Sequence, residues 1–93
     1  MLPDKLVYMA NQIGKFFASQ GPDQAVAGTL GHIKLFWDPR MRATIIAHLR
    51  RGGAGLDPNV RNAIEKLAEA DAAAAASRAQ PDSPADLADA SRQ

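Results

Sequence analysis

The chain has no cysteine. That excludes disulfide staples and thiolate metal sites, and it suits a reducing compartment. Histidine is scarce too. His32 and His48 are far apart and lack ligand spacing, so no metal site is expected. Aromatic residues make up 5% of the chain, with a single Trp and a single Tyr. No apolar run approaches the ~20 residues that a bilayer crossing needs. Asp4 and Lys5 come early, and no apolar stretch of the secretory-signal kind follows them. A dominant charge sign is also missing. The formal net charge is +1, too small for the global field that draws basic proteins to nucleic acid. These absences leave a soluble, cytoplasmic chain as the default, with no membrane association expected.

What is present is short and helical. A chain of 93 residues is one domain at most. A core that small contributes only ~3–5 kcal/mol of net stability without staples. Leu6, Met9, Ala10, Ile13, Phe16 and Phe17 recur at three- and four-residue spacing, which predicts a helix over Pro3–Ser19. Leu2 is placed to staple its entry, and Gln20-Gly21-Pro22 stops it. A second helix runs from Pro22 or Asp23 to Trp37, with a stripe of Val26, Leu30, Ile33, Phe36 and Trp37. Gly28 and Gly31 lie inside it at a cost of roughly 1 kcal/mol each against Ala. Either they admit a neighbouring backbone or they are losses tolerated by packing.

Asp38-Pro39 is a stop and a start at once. The residue before proline is pushed out of the helical region. Asp is a preferred N-cap, and proline fits the first helical position. Helix 3 is expected over Pro39–Arg51, with Met41 (or Arg42), Ile45, Ile46 and Leu49 on its apolar side and Gly52-Gly53 ending it. Asp57-Pro58 repeats the device and opens helix 4, whose apolar face is Val60, Ala63, Ile64 and Leu67. Arg61 and Glu65 form an expected i,i+4 pair on its exposed side. From Asp71 the pattern dissolves into alanines, then Pro81, Pro84, serines and scattered acids. No segment alternates as a strand does. The expected fold class is all-α: a small bundle of three to four short helices over residues 1–70, which fray into the alanines. An Ala/Pro/Ser-rich tail follows over 71–93, disordered when free.

Little in the chain suits catalysis. Ser19 is the only serine before the tail, and nothing supports a Ser19, His32, Asp38 arrangement beyond its being writable. There is no Gly-rich phosphate loop after a strand, and no carboxylate pair on one face of an apolar helix. The sequence therefore offers no catalytic, cofactor-binding or metal residue. His32 and His48 are expected at the edges of the apolar stripes, with backbone or carboxylate partners, and Tyr8 as a half-buried residue.

Two features point instead to contact with a partner. Arg40 and Arg42 stand in the first turn of helix 3, where cations oppose the dipole. One is expected to pair internally and the other to meet a partner carboxylate. Phe16-Phe17 and Phe36-Trp37 are adjacent pairs, and adjacent helical residues point about 100° apart. One member of each pair is therefore expected at the rim or outside, and exposed large aromatics mark interfaces. The candidate partner-binding residues are Phe17, Trp37, Arg40 and Arg42, with Phe36 inside and Trp37 turned toward the partner.

Several words occur in a telling order: Asp4-Lys5-Leu6-Val7-Tyr8-Met9-Ala10-Asn11-Gln12-Ile13, Phe16-Phe17, Ala25-Val26-Ala27-Gly28, His32-Ile33, Phe36-Trp37-Asp38-Pro39-Arg40-Met41-Arg42 and Gly53-Ala54-Gly55-Leu56-Asp57-Pro58. Over about residues 4–68 the chain closely resembles the delta subunit of cytoplasmic, NAD-dependent, molybdenum-containing formate dehydrogenase. The tail takes no part. The resemblance implies an accessory subunit with no cofactor and no small-molecule substrate of its own. It implies association with the large catalytic subunit, which carries bis-molybdopterin guanine dinucleotide and iron–sulfur clusters. Other subunits of such complexes carry FMN and further clusters and pass electrons to NAD. The implied role is to stabilise the catalytic subunit or support its assembly, in a complex that oxidises formate to carbon dioxide.

The rival reading is a small helical nucleic-acid-binding domain or another protein-interaction module. Residues 39–53 carry Arg40, Arg42, Arg50 and Arg51 and no acid, which would make helix 3 the recognition element. Against nucleic acid stand the small net charge and the placing of these arginines at the helix ends.

Overall fold

A computed structural model describes residues 2–79. Within them lie four helices and no strand: α1 (Pro3–Ala18), α2 (Pro22–Phe36), α3 (Pro39–Arg50) and α4 (Pro58–Ala79). Every helix starts on a proline. The ring fixes φ near its helical value, and the missing N–H falls where no intrahelical acceptor exists. Ser19, Trp37 and Arg51, expected as last helical residues, are the C-caps of their helices.

The caps are local chemistry. Gly21 precedes α2 at φ 104, a conformation that side chains disfavour. Asp38 caps α3, its Oδ1 accepting the Met41 N–H at 2.9 Å. The end of α3 is a Schellman motif. Gly52, at φ 115, donates to the Leu49 carbonyl at 3.0 Å, and Gly53 donates to the His48 carbonyl at 3.0 Å.

All four helices contribute to one core, and in α1 and α2 its residues recur at every fourth position. Leu6 and Ala10 come from α1; Ala25, Thr29 and Ile33 from α2; Ile45 and Ile46 from α3; Val60, Ala63, Ile64 and Leu67 from α4. Trp37, at the joint, continues the α2 ladder and is 5% exposed. Gly14 continues the α1 ladder. A Cβ there would lie 2.5 Å from Val60 Cγ2, so glycine allows α1 to approach α4.

α4 continues into the alanines, where the helix was expected to fray. It passes through the boundary placed at residue 70 and runs on to Ala79, with Asp71 to Ala76 exposed. Alanine has the highest helix propensity, which sustains the helix after its apolar face has ended. The rest of the expected tail, residues 80–93, lies outside the described residues.

Candidate docking surface

The joint between α2 and α3 reverses the expected division of its aromatic pair. Trp37 is buried, whereas Phe36 is 70% exposed. The cause is register. Trp37 follows Ile33, Thr29 and Ala25 at intervals of four and stays on the buried side. Phe36 falls about 100° away from Trp37 and leaves it. Trp37 is therefore not a partner-facing side chain in this chain.

Neither arginine of the first turn pairs with a carboxylate among the described residues. Arg42 reaches back, its Nη1 donating to the Trp37 carbonyl at 3.0 Å, which ties the first turn of α3 to the joint. Arg40 is exposed, and among the described residues no carboxylate lies within ion-pair distance of it or of Lys5. Arg61 also departs from expectation. Its guanidinium donates to the Gly52 carbonyl and packs on Gly53, rather than pairing with Glu65. It thereby satisfies a carbonyl just past the end of α3.

Phe17 is half-buried, its ring lying on Gly28, where any Cβ would overlap it. The alternatives for the α2 glycines thus resolve differently. Gly28 makes room for a ring, whereas a Cβ on Gly31 would meet nothing within 4 Å. Phe16 stands edge-on to Phe17, centroids 5.0 Å apart, and is 70% exposed. His32 lies against the Phe36 ring, centroids 4.7 Å apart. Gln12, Ile13, Phe16, Phe17 and His32 line an open groove of about 370 Å³ between α1 and α2. Through His32 that groove is continuous with Phe36.

Of the residues singled out from sequence, only Phe17 belongs to this face. Arg40 lines a separate groove of about 510 Å³ between α1 and α3, with Leu2, Lys5, Leu6, Met9 and Met41. Leu2 is 76% exposed, so it does not staple the helix entry. Phe16, His32 and Phe36 were the missed members. The adjacency of the aromatic pairs signals that one of each lies outside, and the packing of α1 against α2 decides which.

Other polar residues brace the frame. Asn11 donates to the Gly55 carbonyl at 2.8 Å and accepts the Asp57 N–H at 3.0 Å, which pins the loop before α4 onto α1. His48 Nε2 lies 2.8 Å from the Ala54 carbonyl, the backbone partner expected of it. Tyr8 is exposed rather than half-buried. Among the described residues no group of His, Cys, Asp or Glu is arranged to hold a metal ion, and no helix is long and apolar enough to cross a membrane.

Fold and surface together define a small all-α protein that sets Phe16, Phe17, His32 and Phe36 on one face of α1 and α2. Within that class the chain belongs to the family of the NADH-dependent formate dehydrogenase delta subunit FdsD, whose model matches residues 5–64. No curated protein and no solved structure matches it. A delta subunit is one chain of a larger enzyme complex, so association with other subunits follows from membership.

Proposed function

We propose that this chain is a non-catalytic accessory subunit of an NAD-dependent formate dehydrogenase complex in the cytoplasm. It docks through the α1–α2 aromatic face on the large catalytic subunit, which it stabilises or helps to assemble. The molybdenum centre, the iron–sulfur clusters, FMN and the NAD site belong, in this reading, to other chains. The observation that carries the proposal is the exposure of Phe16 and Phe36, both 70%, beside Phe17 and His32. Burying such a side chain contributes ~1.5–3 kcal/mol, and buried aromatics are the usual anchors of an interface. The arginines of α3 do not favour nucleic acid. Arg42 is committed to the Trp37 carbonyl, and Arg50 and Arg51 sit at the far end of the helix.

The test is a tagged full chain carrying Phe16→Ala and Phe36→Ala, expressed with the rest of the complex. Recovery of the catalytic subunit, its molybdenum content and formate-dependent NAD reduction are measured. The expected result is loss of the catalytic subunit from the tagged chain, with lower molybdenum content or activity. Undiminished recovery of a fully active complex overturns the aromatic face as the docking site.

A further inference from the structure

We infer that the docking face extends beyond the aromatic groove along the whole of α1. Its occupant is one helical segment of a partner subunit, with an apolar stripe and with acidic residues at the end that meets Lys5 and Arg40. This rests on the docking role proposed above.

The two grooves lie in sequence on the same side of α1. Leu2, Lys5, Met9, Gln12 and Phe16 follow at alternating spacings of three and four, the periodicity of one helical face. Leu2, Lys5 and Met9 line the α1–α3 groove, and Gln12 and Phe16 line the α1–α2 groove. At 1.5 Å per residue the strip is about 20 Å long, which matches about four turns of a facing helix. The described backbone is helical, with its N–H and C=O groups largely paired internally. It has no strand edge on which an extended peptide could pair. A helix laid ridge-into-groove is the mode that such a side-chain surface takes.

Charge sets the direction of the occupant. Lys5 and Arg40 stand in the first turns of α1 and α3, so two cations and two positive helix ends meet at one groove. Each cation opposes its own helix dipole, and neither has an acid within ion-pair distance among the described residues. Asp4 and Asp38 are near in sequence but do not line the groove, and Asp38 Oδ1 accepts the Met41 N–H. The groove between α2 and α4 has the opposite character, lined by Asp23, Glu65 and Glu69 with Lys66. An acidic helix end is thus attracted to the α1–α3 groove and repelled from the other.

The experiment compares Lys5→Glu/Arg40→Glu with Phe16→Ala/Phe36→Ala in the full chain, as retention on the assembled complex at about 50 mM and about 500 mM salt. The charge reversal is expected to lower retention about tenfold at low salt. Wild-type retention is expected to drop at high salt, narrowing that difference. Retention by the charge reversal equal to wild type at both salts overturns the inference. If the aromatic variant is then still lost, the docking role stands without it; if the aromatic variant is also retained, the docking role fails as well. Both exposed pairs leave the fold intact, which circular dichroism checks. Zero-length carbodiimide cross-linking of the wild-type complex identifies the occupant. A link from Lys5 to an Asp or Glu in a partner helix supports the inference, and a link to a loop or strand overturns the helical occupant.

Discussion

Thr29 shows how little polar chemistry this core contains. It is fully buried between α1, α2 and α4, and its hydroxyl has no hydrogen-bond partner among the described residues. A buried group left unpaired costs ~1–3 kcal/mol. Thr29→Val keeps the shape and removes the hydroxyl, so it is expected to raise stability by about 1 kcal/mol, read by urea denaturation. Trp37 acts in the opposite direction. Truncating a buried tryptophan costs ~3–5 kcal/mol, which is the whole of what so small a core contributes. Trp37→Ala is expected to unfold the isolated chain, with loss of helical circular dichroism. Its effect on association would report folding rather than contact. The α2 glycines give a matched pair. Gly28→Ala must displace the Phe17 ring and is destabilising, whereas Gly31→Ala meets open space and should stabilise by up to about 1 kcal/mol. Equal thermal midpoints for these two variants would contradict the packing described for Phe17.

At the scale of helices, the punctuation is what the sequence made legible. Proline starts, the Asp38 cap and the Gly52-Gly53 stop depend on neighbours within a turn, so they can be read along the chain. Asp38→Ala removes the bond to the Met41 N–H and is expected to cost about 1 kcal/mol in chemical denaturation. Long-range choices were not legible. The buried ladder of α2 runs Ala25, Thr29, Ile33, Trp37, and its second step is a polar residue. The hydrophobic stripe of Val26, Leu30, Ile33, Phe36 and Trp37 contains both members of the pair, so it does not by itself say that Phe36 lies outside. Asn11, off the apolar stripe of α1, gave no sign that it would hold a loop more than forty residues away. Arg61 had a local partner in Glu65 and took a distant carbonyl instead, because the end of α3 presents one without an intrahelical donor. Of the candidate site, the existence of outward aromatics was readable from adjacency. Their identity, and the gathering of Phe16, Phe17, His32 and Phe36 on one face, required the packing of α1 against α2.

The whole molecule combines a small core with an uncovered aromatic face, and these two properties are linked by mass action. A partner that binds only the folded chain adds RT ln(1 + [L]/Kd), which is about 2.7 kcal/mol at a hundredfold excess over Kd. For a domain of this size that corresponds to a rise in midpoint of about 10–20 °C. Phe16 and Phe36 contribute little to the isolated fold because most of their surface is already in water. Surface substitutions of that kind change stability by no more than about 0.5 kcal/mol. The Phe16→Ala/Phe36→Ala chain is therefore expected to melt with the wild type when alone and to fall behind it when the partner is present. Core variants behave otherwise, since Trp37→Ala removes stability from the fold itself, with or without partner. Hydrogen exchange provides the spatial check. On assembly, protection is expected to rise in all helices of the wild type through the linkage, and locally most in α1 and α2, where the face is covered. Uniform protection with no excess in α1 and α2 would place the contact on another side of the bundle, and the aromatic face would then need a different occupant.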